Sequence, residues 1–204
     1  MSKTAKQAAG KIAKLDRDAT HRAAQFRDTR TAKVAGVLAE LGDQPQMIAT
    51  AALTIGAGLV TRRGQLIRGG SRMLAAHLVA TGIKMVVKRQ VDRTRPEKAL
   101  EDGGHKFAAG HSRDHDMNSF PSGHTAGAVA VARAAAHEID GVGIPATVAA
   151  GAIAAVQPPT GSHYLSDVLA GAAIGWFAEA LVGELFDRLE PIIDRRLGDE
   201  ASDK

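Results

Sequence analysis

Alanine and glycine constrain the fold of this chain more than any other feature of its sequence. The 204 residues include 39 alanines and 22 glycines, whereas aromatic residues make up only 3%. Alanine is the best helix former, while sheets favour β-branched and aromatic side chains. The sequence also shows no convincing strand pattern, so we predict an all-α fold of closely packed helices. The absence of cysteine excludes disulfides, thiolate metal ligands and a cysteine nucleophile.

Apolar residues recur with helical spacing in five segments, which predict an up-down bundle of about five core helices. The expected helices cover about 46–60, 71–90, 122–138, 144–157 and 163–187, with a long polar loop at about 91–120. We divide the chain into a basic, Ala-rich helical arm (1–44), the helical core (45–188) and a C-terminal tail (189–204), for which we expect one more short helix and a disordered end. Residues 1–45 hold nine Lys/Arg and five Asp/Glu, which is the whole net charge of +4. This distribution argues against a nucleic-acid partner.

Hydropathy leaves the relation to a membrane open. The mean hydropathy is −0.10, and the start of the chain is charged and has no signal-peptide pattern. The uncharged run from Met47 to Val60 is shorter than the roughly 18–20 residues of a spanning helix. Charges such as Lys84 and Glu179 are costly against lipid unless they face the bundle interior. A membrane-inserted bundle and a soluble or peripheral one both fit these observations.

Three clusters carry residues suited to chemistry. Lys88 and Arg95 lie at a helix end and in the following loop, where two cations can converge on an anion. Ser122, Gly123 and His124 begin a predicted helix, whose free N–H groups and positive dipole end favour phosphate. The third cluster begins the last helix, and a bundle of this topology brings all three clusters to one pole.

The third cluster pairs an imidazole with a carboxylate. His163 and Asp167 are four residues apart and therefore face the same way. A carboxylate can keep one ring nitrogen protonated and leave the other free to attack. With cations to stabilise charge, His163 as nucleophile and His124 as acid, the set fits phosphoryl transfer.

These clusters resemble the motifs of the type 2 phosphatidic acid phosphatase family, which shares its helical core with vanadium haloperoxidases. The family pattern is KxxxxxxRP, then PSGH, then SRxxxxxHxxxD. Lys88, Arg95 and Pro96 match the first block, 121–124 the second, and His163 with Asp167 the end of the third. The resemblance covers about 45–185 and favours membrane insertion.

The resemblance implies a metal-independent phosphatase without a cofactor. His163 would form a phosphohistidine, Asp167 would orient it, and His124 would protonate the leaving alcohol. Lys88, Arg95, Ser122 and Gly123 would bind the phosphate oxygens. The substrate would be a phosphate monoester or diphosphate, either a phosphorylated lipid or a small ester. The location would be a membrane of the bacterial inner-membrane type.

The third block departs from the family pattern, because Val156 and Gln157 replace its Ser-Arg pair. Gln157 can donate an amide hydrogen bond to phosphate but carries no charge. We expect the protein to stay active, with Arg93 or Arg113 as candidates for compensation. The alternatives are a vanadate-dependent haloperoxidase and a non-enzymatic member that binds phosphate or anionic lipid.

Two further features have more than one interpretation. His105, His111 and His115 could bind a metal with neighbouring aspartates, but their spacing matches no compact motif, so we predict a polar lid. The Arg-rich link near 61–70 is predicted to lie at the pole opposite the site, which puts the site outside the cytoplasm by the positive-inside rule. The basic arm argues the reverse, and we give the link more weight.

Overall fold

The computed structural model describes residues 3–25 and 29–202, and it describes the side chains of those residues except 3–10, 12, 31–33, 35, 38 and 190–202. Residues 1–2 and 26–28 of the predicted arm and 203–204 of the predicted tail lie outside the described residues. The helices are α1 (Lys3–Ala24), α2 (Arg30–Glu40), α3 (Gln44–Thr61), α4 (Gly64–Lys88), α5 (Pro96–Asp102), α6 (Gly123–Glu138), α7 (Gly143–Ala155) and α8 (Leu165–Ser202). Two short strands, β1 (Val91–Arg93) and β2 (Phe107–Ala109), and a 3₁₀ turn (His115–Met117) complete the described elements.

Helices α3, α4, α6, α7 and α8 form the core, which confirms the predicted all-α class. Helix α4 packs against α3, α6 and α8, and α6 packs in addition against α7. Small side chains line these contacts: Ala51, Ala76, Ala80, Ala130 and Ala134 are completely buried. Because an alanine projects little from a helix, the helix axes approach closely, as the composition predicts.

The segment expected to be a polar loop contains secondary structure that the sequence did not reveal. Strands β1 and β2 pair antiparallel, with Val91 opposite Ala109 and Arg93 opposite Phe107. Three residues are too few for an alternating pattern to be recognised. The C-terminal tail also differs from the expectation, since α8 runs without a break to Ser202 rather than ending before a separate short helix.

The N-terminal arm contacts the start of α8. The backbone N–H of Leu165 donates to Oγ1 of Thr20 at 3.2 Å, and the N–H of Ser166 donates to Oδ1 of Asp16 at 3.0 Å. The first N–H groups of a helix have no partner within that helix. Side chains of α1 therefore provide hydrogen-bond acceptors for the start of α8, as an N-cap residue does within one chain segment.

Two glycines allow α8 to lie directly against α6. A Cβ atom on Gly171 would be 2.5 Å from the carbonyl oxygen of Ser122, and one on Gly175 would be 2.4 Å from that of Ala126. Both obstacles are backbone atoms, so neither can move without shifting a helix. The GxxxG spacing thus fixes the distance between α6, whose second residue is His124, and α8, which starts two residues after His163.

We predict that Gly175→Ala destabilises the protein by about 1–3 kcal/mol, because the added methyl group forces α6 and α8 apart. Gly151→Ala on α7 is the matched control, since a Cβ at Gly151 meets no atom within 4 Å. That control should be neutral or stabilising by up to about 1 kcal/mol, the helix-propensity difference. Denaturant or thermal unfolding of the purified variants measures both effects, and equal stability of the two would contradict the close α6–α8 contact.

Candidate active site

A cavity of about 200 Å³ opens at the pole where α4 ends and α6 and α8 begin. Five of the eight predicted site residues line it, and these five are Lys88, Arg95, Gly123, His124 and His163. The remaining lining residues are Gly42, Asp43, Gln44, His77, Thr81 and Lys84. The structure therefore brings residues of all three sequence clusters to one place.

The two motif cations are fixed by carbonyl oxygens. Lys88 ends α4, and its ammonium donates to the carbonyl of Asn118. Arg95 immediately precedes α5, and its guanidinium donates to the carbonyls of His115 and Ser162, both at 3.0 Å. Because these bonds use only part of each donor set, N–H groups of both cations stay available to a ligand. Burial, followed by the charges of Arg95 and Lys84, lowers the pKa of Lys88 to about 8.

The hydrogen bond of His163 fixes its tautomer. Its Nδ1 atom lies 2.7 Å from the carbonyl oxygen of Ser119. A carbonyl can only accept, so Nδ1 carries the hydrogen and the other ring nitrogen, Nε2, has a free lone pair. Burial lowers the pKa of His163 to about 4. The ring is therefore neutral at ordinary pH and has the electronic form that a nucleophile needs.

Asp167 acts on His163 mainly through other groups. Its Oδ2 atom is 3.8 Å from Nδ1 of His163, which is beyond hydrogen-bond distance. The same carboxylate accepts from the hydroxyl of Ser119, from the backbone N–H of Tyr164 at 2.8 Å and from Nη1 of Arg93. Asp167 thus holds the residue whose carbonyl holds His163, rather than binding the imidazole directly.

Arg93 lies behind Asp167 and not in the cavity. Its Nη2 atom is 2.7 Å from Oδ2 of Asp16, while Nη1 binds Asp167. The guanidinium carbon lies 4.0 Å from the ring centroid of Tyr164 and 4.9 Å from that of Phe107. Two carboxylates and two aromatic rings therefore surround this cation. The structure thus contradicts the suggestion that Arg93 contacts the phosphate in place of the missing arginine.

The structure also places three other predicted side chains outside the cavity lining. The Oγ atom of Ser122 caps α6 by accepting from the N–H of Thr125 at 3.4 Å. Nε2 of Gln157 donates to the carbonyl of Ile153 at 3.0 Å, and its side chain is buried. Arg113 lines a neighbouring cavity of about 740 Å³ that shares only Lys88 with the first. Direct phosphate contacts of Ser122 and Gln157 stay predictions.

Three of the six lining residues that the sequence did not predict have ionisable side chains, namely Asp43, His77 and Lys84. Oδ1 of Asp43 lies 2.6 Å from Nε2 of His124. In the sequence, Asp43 before Pro45 has the pattern of an ordinary N-cap, but its side chain makes no cap hydrogen bond. Only the tertiary packing of the α2–α3 turn over α6 brings this carboxylate to the site.

His77 and His124 have different surroundings. Neither ring nitrogen of His77 has a hydrogen-bond partner among the described residues, although the side chain is buried. Burial lowers the pKa of His124, and the carboxylate of Asp43 partly opposes that effect. His124 is therefore the imidazole whose protonated form receives support inside the cavity.

The histidines of the loop are dispersed. His105 packs edge-on against Tyr164, with ring centroids 5.5 Å apart, and His111 binds the carbonyl of Arg89 through Nδ1. Among the side chains that the structure describes, no group of three His, Asp or Glu residues is placed to hold a metal ion. The alternative of a metal site in this loop therefore receives no support from the described side chains.

Comparisons with known proteins show the family to which the chain belongs. The profile of the PAP2 superfamily matches residues 69–189, and so the chain belongs to that superfamily, which confirms the resemblance. No functionally curated protein matches the sequence.

Two solved structures share the fold. A Bacillus subtilis protein described as a transmembrane PAP2-type phosphatidylglycerolphosphate phosphatase has a TM-score of 0.65 at 22% identity, over 87% of each chain. Aquifex aeolicus LpxE has a TM-score of 0.61 at 20% identity, over 82% of this chain and 93% of its own. The fold is thus that of these PAP2 proteins.

We predict that Asp16→Asn lowers the stability of the protein by about 1–3 kcal/mol. The substitution removes the charge that pairs with the buried Arg93 and weakens an acceptor for the start of α8. Asp18→Asn is the matched control, because Asp18 lies two residues away on α1 and is exposed. Thermal unfolding measures the difference, and a loss equal to that of the control would show that α1 does not stabilise the site pole.

Proposed function

We propose that the protein is a phosphatase that hydrolyses a phosphate monoester or diphosphate, with a phosphorylated lipid as its substrate. The observation that carries this proposal is the meeting of His163, His124 and two motif cations around one cavity. A neutral imidazole with a fixed tautomer, a second imidazole beside a carboxylate, and convergent cations are the components that phosphoryl transfer requires.

In the proposed first step, Nε2 of His163 attacks phosphorus as the bond between phosphorus and the leaving alcohol oxygen breaks. His124 gives its proton to that oxygen, so an alcohol leaves and a phosphohistidine forms. In the second step, His124 takes a proton from water, whose oxygen attacks phosphorus. The phosphorus–nitrogen bond then breaks, inorganic phosphate is released, and both imidazoles return to their initial states.

Charge on the equatorial oxygens needs stabilisation throughout both steps. Lys88 and Arg95 supply positive charge from one side of the cavity, and the N-terminus of α6 supplies backbone N–H groups at Gly123. All of these groups belong to the protein. The proposal therefore includes activity that does not depend on an added metal ion.

The distribution of polar and apolar residues supports a lipid environment. Among the described residues, one helical segment, Leu165–Leu189 of α8, is long and apolar enough to cross a membrane, with a mean hydropathy of 1.5. This helix exposes Trp176, Phe177 and Leu181 but completely buries Glu179. An exterior of large apolar side chains over a charged interior is the arrangement that lipid favours. The chain thus has the surface to meet a lipid substrate.

We predict that His163→Ala abolishes hydrolysis, since it removes the nucleophile. Wild-type protein should cleave at least one member of a panel of phosphatidate, a prenyl diphosphate and p-nitrophenyl phosphate, with or without EDTA. A radiolabelled substrate should leave an acid-labile phosphoprotein in the wild type only. His137→Ala, an exposed position near the end of α6, is the control and should keep full activity.

Two results would oppose this function, and a third would oppose its proposed intermediate. A wild-type protein that cleaves none of these esters would support the non-enzymatic alternative. Halide oxidation on addition of vanadate, without phosphatase activity, would support the haloperoxidase. Undiminished hydrolysis by His163→Ala would exclude the proposed intermediate.

We also predict an acidic pH optimum for kcat/KM. Below about pH 4, His163 gains a proton and loses its free lone pair. As pH rises through the pKa of His124, which burial holds below its ordinary value of 6.5, the acid loses its proton. The maximum should therefore lie between about pH 4 and 6.5, and rates at both sides should fall.

Asp43→Asn tests the basis of the alkaline limb of this profile. The carboxylate of Asp43 raises the pKa of His124, so its removal should shift the alkaline limb to lower pH and leave the acidic limb in place. Asp140→Asn, at an exposed position beyond the end of α6, is the control. An alkaline limb that stays in place or moves to higher pH would contradict the pairing of Asp43 with His124.

A further inference from the structure

The catalytic cavity contains a cation that none of the three sequence motifs supplies. Lys84 lies on α4 one turn before Lys88, and its side chain lines the cavity. A Cβ atom on Gly123 would be 3.0 Å from Cδ of Lys84 and 3.2 Å from its Nζ. The ammonium group therefore lies over the first residue of α6, where the backbone N–H groups of a helix start can meet an anion.

Among the described residues, no side chain neutralises the charge of Lys84. Within the part of the chain that the structure describes, no carboxylate pairs with Lys84 and no hydrogen bond is made by its ammonium group. Burial lowers the pKa of His77, of Lys88 and of His124, and the charge of Lys84 lowers each of these pKa values further, so Lys84 lies near all three groups. Holding cations together in a partly buried place is unfavourable until an anion enters.

The other candidates for the missing cation are occupied or lie elsewhere. The family pattern has arginine at the position of Gln157, whose amide is bound to the carbonyl of Ile153. Arg93 is held between Asp16 and Asp167. Arg113 lines the neighbouring cavity instead. Of the three lysine and arginine side chains that line the cavity, Lys84 is the one that belongs to none of the motif blocks.

We propose that Lys84 binds the phosphate oxygens of the substrate and supplies the positive charge that the third motif lacks. This inference rests on the proposed phosphatase function and adds a substrate-binding residue to it. With Lys84, three lysine or arginine side chains line the cavity beside one carboxylate, that of Asp43. Without Lys84, only Lys88 and Arg95 would supply permanent positive charge to the phosphate oxygens, in addition to the proton that His124 carries in the proposed mechanism.

The test compares Lys84→Gln with wild type and with Lys98→Gln, in which a half-exposed lysine of α5 outside the cavity is changed. Loss of Lys84 should lower kcat/KM by about 10²–10³-fold, as expected for one group that stabilises transition-state charge. The competitive inhibition constant of inorganic phosphate should rise by about 10- to 100-fold, the worth of a hydrogen bond to a charged group. Lys98→Gln should leave both quantities unchanged.

Lys84→Arg separates charge from structure. An arginine keeps the positive charge, so this variant should keep kcat/KM and phosphate inhibition within about tenfold of wild type, while Lys84→Gln loses both. The inference is wrong if Lys84→Gln folds and is inhibited by phosphate as wild type is, or if Lys84→Arg fails as completely as Lys84→Gln in a folded protein. In those cases wild-type hydrolysis still stands. A wild type that neither hydrolyses the ester panel nor binds phosphate would instead remove the proposed function itself.

Discussion

The carboxylate of Asp167 is the interaction on which the geometry of the site pole depends. Ser119 and the backbone of Tyr164 donate to it, and Arg93 pairs with it from β1. Arg93 in turn reaches Asp16 of α1. A fully buried carboxylate is stable only when its hydrogen bonds and charge are satisfied. Satisfying Asp167 therefore draws four separate segments together and, through the carbonyl of Ser119, fixes the tautomer of His163.

The same physical problem recurs at the other pole of the bundle, where the interior is charged. Arg72 of α4 lies 2.6 Å from Glu179 of α8 and 2.9 Å from Glu138 of α6, and Arg133 lies 3.0 Å from Glu179. Burying such a network costs desolvation free energy in any protein. On its outer face, α8 exposes Trp176 and other large apolar side chains. Helices that meet through charges and show apolar faces outward can associate within lipid.

Sequence patterns predicted the helices and the motif residues because both are encoded by residues close together in the sequence. Helical spacing and the Ala/Gly content predicted the core helices, with bounds within a few residues except for the start of α4 and the extension of α8. The motif blocks predicted five of the cavity-lining residues, including His163 and His124. The short strands β1 and β2 were not predicted, because three residues are too few to show the alternation of polar and apolar side chains that marks a strand.

Residues brought to the site by tertiary packing could not be predicted in this way. Asp43 before Pro45 is typical of a helix start, and Lys84 is one polar residue within a long helix. Arg93 has the charge expected of a phosphate ligand, yet burial between Asp16 and Asp167 gives it a different contact. In each case the residue type was visible, but its partner lies more than 70 positions away or depends on how two helices cross.

Replacing an arginine fork by a lysine changes how a phosphate can be held. Arginine presents paired, planar donors that fix the orientation of an oxyanion, whereas an ammonium group on a flexible stem acts as a point charge. Orientation in this cavity must therefore come from groups that are themselves fixed. Arg95 is anchored by two carbonyls, and the backbone at Gly123 is fixed by the start of α6. Because charge and orientation come from different elements, Lys84 can stabilise the phosphate without setting the line of attack by His163.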